Sequence, residues 1–400
     1  MARCPTVGGR SDGARTVEDV RRRAGVRASR LLVVLVAGAL LAGCSDDGYH
    51  PVGPFRPLPE GAPPEVGPPT SQAPVPGDPA QPEAGSEGGD PNVVATGLTV
   101  PTGLVVLADG SAIVGERETG RLLQVFPDGS PVHELMTVPG VDTAGDGGLL
   151  GLALSPTYLE DGLLYAYMST ATDNRVVRFP LRGTPNTVLA GIPRGETDNG
   201  GALLFSTDGS LYVGTGDTGN PALAADPASL AGKVLRIDVF GRAVGPSPVY
   251  SRGHRDLTSL CQSADGALYA TDATLDGPDE LNAITDGGDY SSPQGTRPVA
   301  EIRAEEGGLG GCAAASGGVF LGAMDGQRVH ALVLDGTGAV TGDPEVFLSG
   351  QYGRLRTVEL APAGALWITT SNRDGIGTPV EDDDRVLRIQ PPTTTGSSPL

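Results

Sequence analysis

Asp198 opens the stretch with the most chemistry in this chain, Thr197-Asp198-Asn199-Gly200-Gly201-Ala202-Leu203-Leu204-Phe205. A carboxylate just ahead of an apolar strand can accept a proton, but its ordinary pKa near 4 makes it a weak base at neutral pH. A neighbouring cation would lower that value, and crowding by other carboxylates would raise it. A single Asp in such a place also caps loop backbone. The stretch runs on through Asp208-Gly209 to Leu211-Tyr212-Val213-Gly214-Thr215-Gly216-Asp217. The sequence shows no phosphate-cradling glycine loop, Ser-His-Asp signature or zinc spacing.

The elements that must position Asp198 are read from a repeat. Turn glycines Gly110, Gly162, Gly209, Gly266, Gly317 and Gly364 follow one another at intervals of 47 to 57 residues. Apolar runs flank each, as in Leu104-Val105-Val106 and Ala112-Ile113-Val114, and a third run such as Lys233-Val234-Leu235-Arg236 follows. Short strands, glycine turns and a period near 50 specify an all-β, six-bladed β-propeller. Val93-Val94-Ala95 is expected to complete the last blade beside Val386-Leu387-Arg388. Propellers present ligands on the loops at one mouth of the channel, so the residues just before each inner strand carry the functional expectation.

The chain has 400 residues and a formal net charge of −20. That excess argues against nucleic acid and anionic lipid as partners and favours solubility and bound cations. Residues 1–43 combine an arginine-rich start with the uncharged run Leu31 to Gly43, too short to span a membrane, and read as a signal peptide. Leu41-Ala42-Gly43-Cys44 resembles a bacterial lipobox. It implies lipidation of Cys44 and an exported protein tethered to the outer face of the cell membrane through that lipid alone. Residues 44–91, rich in proline and glycine, read as an extended, disordered stalk. Residues 92–390 form the propeller, and 391–400 a disordered tail. Export is oxidising, so Cys261 and Cys312, each five residues before its turn glycine on consecutive blades, are expected to form a disulfide.

Residues 92–390 resemble the glucose/sorbosone dehydrogenase family, soluble sugar dehydrogenases that use pyrroloquinoline quinone (PQQ). The resemblance rests on Val100-Pro101-Thr102-Gly103-Leu104, Gly147-Gly148-Leu149-Leu150-Gly151-Leu152, Gly232-Lys233-Val234-Leu235-Arg236 and Gly253-His254-Arg255. It continues in Asp279-Glu280-Leu281-Asn282, Gly287-Gly288-Asp289-Tyr290 and Gly353-Arg354-Leu355-Arg356. It implies a six-bladed propeller that oxidises the C1 hydroxyl of an aldose by hydride transfer to PQQ. The family's base is a His ahead of Asn-Gly-Gly, where this chain has Asp198, with Arg255 as its neighbour at the site. Cofactor-binding positions carried over are Asp146, Asp217, Arg255, Asp256, Ala323, Met324, Asp325, Arg354 and Arg356. A Gln, an Asn and a Lys of the family pattern are here Asp146, Asp256 and Asp325. Glu280 and Tyr290 match a calcium site, where a Glu side chain and a loop carbonyl are suitable oxygen ligands.

These substitutions add negative charge where a tricarboxylate would sit. One unit charge at about 5 Å opposes an anion by on the order of 3 kcal/mol at an effective dielectric near 20. The expectation is weakened PQQ binding and slow aldose oxidation. Three readings remain: a PQQ enzyme, a non-catalytic sugar- or cation-binding propeller at the cell surface, or another enzymatic use of the acidic mouth.

Overall fold

The computed structural model describes residues 89–392 apart from Asp276, Ser292 and Pro293. The leader, the lipobox with Cys44, the stalk up to residue 88 and the tail beyond residue 392 lie outside the described residues.

Six antiparallel sheets follow one another along the chain and form the blades of a β-propeller. Their innermost strands are Pro101–Val106, Leu149–Leu154, Gly200–Phe205, Leu257–Gln262, Leu309–Ala315 and Leu355–Leu360. Each inner strand turns into a second strand through a glycine turn. At Asp109-Gly110 and Asp208-Gly209 the Asp side chain accepts the amide of the serine two residues on, at 2.9 and 2.8 Å. The glycines there take φ of 84° and 81°, a region open to glycine at little cost. The third blade gains a fifth strand, Gly288–Asp289, parallel to Val249–Arg252. The ring closes as expected: Val93 pairs with Leu387 and Ala95 with Val386. Closure removes the open edges a sheet would otherwise present.

The apolar interior is divided among the seams between blades. Trp367 in the sixth blade is buried with Val94, Leu104 and Val114, across the seam to the first. Tyr165 and Tyr167 join the second blade to Leu211, Val213 and Leu235 of the third. Hydroxyls tie neighbouring inner strands together. Thr102 Oγ1 donates to the Leu149 carbonyl at 2.5 Å, Thr258 Oγ1 to that of Gly310 at 3.1 Å, and Thr357 Oγ1 to that of Thr102 at 2.6 Å. Cys261 and Cys312 are joined across the seam between the fourth and fifth blades, with Cα atoms 5.8 Å apart.

All six inner strands carry a β-bulge at their first residues, as between Pro101 and Gly103, Gly200 and Ala202, and Leu355 and Val358. A bulge inserts a residue, bends the strand and re-aims side chains. Because the strands are antiparallel, the start of an inner strand, the end of the second and the start of the third share one end of the blade. The six bulges therefore ring one mouth of the channel. The strands crowd there: a Cβ on Gly151 would lie 2.0 Å from the Gly201 carbonyl oxygen. Two histidines are structural. His133 begins the outermost strand of the first blade and meets Phe126 edge-on at 5.2 Å. His330 lies on a third strand, 2.8 Å from the Glu306 carbonyl oxygen.

Candidate functional site at the channel mouth

Asp198 sits in the bend that feeds the third inner strand, with φ of 55°, an uncommon backbone state for a residue with a side chain. The bend is held from several sides. The Asp198 carbonyl accepts the Thr218 amide at 3.0 Å. A Cβ on Gly216 would come within 1.8 Å of that oxygen, so the neighbouring strand must offer glycine there. Buried Asn199 fixes the next peptide: its side-chain oxygen accepts from Asn174 Nδ2 at 2.9 Å, and its carbonyl accepts the Tyr167 hydroxyl at 2.9 Å. Neither Asn174 nor Tyr167 lies in a motif the sequence singled out.

The Asp198 carboxylate is 8% exposed and meets the Arg255 guanidinium at 2.8 Å. Thr197 Oγ1 donates to its second oxygen at 3.2 Å. Burial pushes its pKa up, Arg255 pulls it down, and the net direction is upward. Arg255 is itself anchored. Its Nη1 donates to the Ala273 carbonyl at 2.9 Å, and its own carbonyl accepts the Asp217 amide at 2.7 Å. Asp217 is buried, accepts the Gly219 amide at 2.8 Å, and is likewise pushed up, by burial first. Asp256 Oδ1 accepts the Gly200 amide at 2.8 Å. Burial, and then the nearby Asp198 charge, push Asp256 up to about 7.

Asp272 organises this group. Its carboxylate accepts the Arg255 and Asp256 amides at 3.0 and 2.9 Å and lies 3.1 Å from His254 Nδ1. Its side chain thus holds two site residues in place. His254 Nε2 is 2.8 Å from Ser251 Oγ, so folding assembles a Ser-His-Asp string that no sequence signature announces. Ser251 and His254 are each 1% exposed, which leaves the string no substrate to meet. Lys233, inconspicuous in the sequence, is fully buried and donates to the carbonyls of Leu223, Ala224 and Ala231 at 2.6 to 2.8 Å. It pins the loop that follows Asp217.

The cationic side of the mouth comes from the fifth, sixth and first blades. Arg354 is held by Asp374 at 2.8 Å and by Asp325. Arg356 has no carboxylate partner among the described residues, and its hydrogen-bond contact is Met324 Sδ at 3.5 Å. Burial, and next the Arg117 guanidinium, pull it down to about 10. Ala323 is buried at the end of the second strand of the fifth blade. Asp146 is exposed, 4.0 Å from Arg117. Arg117 and Asp374 belong to no motif and escaped the sequence reading.

The arrangement corrects the expected charge balance. Asp325 does not face the mouth as a free carboxylate, because Arg354 answers it. Asp256, pushed up to about 7 by burial and then by the Asp198 charge, gives up its proton far less readily than an ordinary Asp. The opposition to an anion is therefore smaller than several full charges would give.

Glu280 and Tyr290 are separated in role. Tyr290 stacks on His254 at 4.7 Å, and its hydroxyl donates to the Ala283 carbonyl. Any oxygen it could offer a metal is thus its backbone carbonyl. Glu280 accepts from Asn282 Nδ2 at 3.0 Å and is pushed up by burial. Among the described residues no group of three or more His, Cys, Asp or Glu is arranged to hold a metal.

The family model for glucose/sorbosone dehydrogenases matches residues 98–300 and 312–378. A PQQ-bound aldose sugar dehydrogenase from Streptomyces coelicolor superposes with a TM-score of 0.72 at 41% identity, over 74% of this chain and 96% of that one. A putative oxidoreductase (glucose dehydrogenase) from Thermus thermophilus gives 0.69 at 36% identity, over 74% and 98%. Quinoprotein glucose dehydrogenase B of Acinetobacter calcoaceticus is 27% identical over 267 residues, 55% of this chain. The match spans 56% of that protein's length.

Proposed function

The chain belongs to the glucose/sorbosone dehydrogenase family, and from that premise we propose that its channel mouth binds PQQ and oxidises an aldose, with Asp198 as the proton acceptor. The observation that carries this reading is Arg356, a half-buried guanidinium that no carboxylate touches among the described residues. Buried charges are ordinarily paired, so an unanswered one calls for an anionic ligand. The residues fit PQQ on that count, since its carboxylates supply the missing anion and Arg255 and Arg356 the cations.

When bound, PQQ supplies the hydride acceptor. The chain supplies the rest. The sugar hydroxyl would give its proton to an Asp198 oxygen. Burial keeps that carboxyl more basic than an exposed Asp, closer to what proton transfer near neutrality requires. Arg255 holds the carboxylate in one orientation and leaves it charged. Asp272 keeps Arg255 and Asp256 at fixed heights in the mouth. Calcium would be taken up beside Glu280 and the Tyr290 carbonyl. From the lipobox we propose an exported protein, tethered through Cys44.

Calorimetric titration of the full protein with PQQ in calcium buffer, followed by aldose-dependent reduction of an artificial electron acceptor, tests this. Stoichiometric uptake and slow sugar oxidation are expected. Absence of PQQ uptake would refute the reading. It would favour a non-catalytic sugar- or cation-binding propeller, for which the internal pairing of Asp198 with Arg255 and of Arg354 with Asp374 speaks.

A further inference from the structure

We propose that Arg117, together with Arg356, forms the subsite that grips a carboxylate of the bound quinone. This rests on the PQQ reading above and deepens it by naming a binding residue outside every motif of the sequence.

Arg117 directly follows the second strand of the first blade, Ala112–Glu116, and so stands at the mouth. Gly148 makes room for it. A Cβ there would lie 2.4 Å from the Arg117 carbonyl oxygen and 2.6 Å from its Cγ. The side chain is 11% exposed, yet its hydrogen-bonding capacity is poorly used. Nη2 reaches Glu118 at 3.0 Å, a partner that is itself 42% exposed. Nη1 lies 4.0 Å from Asp146, beyond hydrogen-bond range, and the buried Nε has no partner.

The nearby cation is Arg356, which no carboxylate answers. Their repulsion is felt: after burial, the Arg117 charge contributes most to lowering Arg356. Two like charges, one buried and one half-buried, with no carboxylate in contact with Arg356, destabilise a fold unless an anion joins them. A guanidinium presents a planar fork that matches a carboxylate in two parallel hydrogen bonds. Arg354 is not available in the same way, because Asp374 and Asp325 already occupy it. The third blade's part of the mouth carries Asp198 and Asp217. An anion is therefore steered toward the Arg117–Arg356 side and away from the proton acceptor.

A purely structural role, in which Arg117 merely pairs with Glu118, predicts different behaviour. The test is PQQ titration by calorimetry on the full protein in calcium buffer, for the wild type, Arg117→Gln, Arg117→Lys and Arg194→Gln, with melting temperatures of each apo protein. Arg194 is the control, an arginine already held by Asp142 at 2.7 Å. Arg117→Gln should weaken PQQ binding on the order of ten- to a hundredfold, the scale of one lost charged hydrogen bond. Arg117→Lys should recover part of that, keeping charge without the fork, and Arg194→Gln should stay within about twofold. Apo Arg117→Gln should melt no lower than the apo wild type, because a repulsion has been removed. PQQ binding by the wild type that Arg117→Gln leaves within twofold overturns this inference alone. So does an Arg117→Gln protein that unfolds or melts well below the wild type, which would assign the residue to the frame. A wild type that takes up no PQQ overturns the functional reading and this inference with it.

Discussion

At the scale of single residues, environment decides what each carboxyl can do. Asp198 and Asp325 are the same residue type, but one is sunk beside Arg255 and pushed up by burial, while the other is spent on Arg354. Glu359 is a further case. It lines the channel on the sixth inner strand, and burial pushes it up to about 8 from the usual glutamate value near 4.5. An acid raised in the folded state stabilises the fold fully below its unfolded pKa and loses that contribution as pH rises through its folded pKa. The loss should therefore develop from about pH 4.5 to about 8. Glu359→Gln should match the wild type in melting temperature at pH 5 and exceed it at pH 8.5. Identical pH slopes for the two proteins would count against this assignment. That Asp198 and Arg255 are neighbours was legible through the motifs around them. Their pairing distance and the outcome of burial against attraction were not, because both depend on how deeply neighbouring blades seal the bend. Arg117 and Asp374 gave no signal, being contributed by strand ends far apart in the chain.

At the scale of elements, the glycine turns and apolar runs were readable because hairpin chemistry is local: Asp-Gly turns and short apolar strands identify themselves. The closing strand Val93–Ala95 was readable as the short apolar run that completes the last blade of a closed ring. The bulges were not, although they aim the site. A bulge is a relation between two strands, and here its cause is the crowding of inner strands at glycines such as Gly151. The bond between Cys261 and Cys312 joins inner strands 51 residues apart in sequence. Replacing both by Ser should cost roughly 2–4 kcal/mol, mainly by freeing the unfolded chain. Thermal melts of the double variant and of reductant-treated wild type should both fall by several degrees and agree with each other. A double variant that melts with the untreated wild type would show that the seam hydroxyls and apolar contacts suffice alone.

At the scale of the whole molecule, the propeller is a ring whose seams bear the core and whose mouth separates charge: carboxylates on the third and fourth blades, an unanswered cation on the sixth. The net charge of −20 disfavours anionic lipid as a partner, and the proposed tether rests on Cys44 alone. Cys44→Ala should move the protein out of the membrane fraction or leave an uncleaved precursor. Undiminished lipid labelling of that variant would rule the tether out. The fold class was legible from the period of the repeat, which a ring of equal blades enforces along the entire domain. The balance of charge at the mouth was legible only in sign, because Arg354 pairs with Asp325 across blades and burial raises Asp256. The central claim, that Asp198 is the proton acceptor of a PQQ-dependent sugar oxidation, is tested most directly by the turnover of PQQ- and calcium-loaded protein with an aldose at pH 7. Wild type, Asp198→Asn and Asp198→His would be measured side by side. The account predicts slow turnover in the wild type, a further loss of about 10²-fold or more in Asp198→Asn, and a faster reaction in Asp198→His, whose imidazole titrates nearer to neutral pH. Equal turnover in the wild type and Asp198→Asn would contradict it.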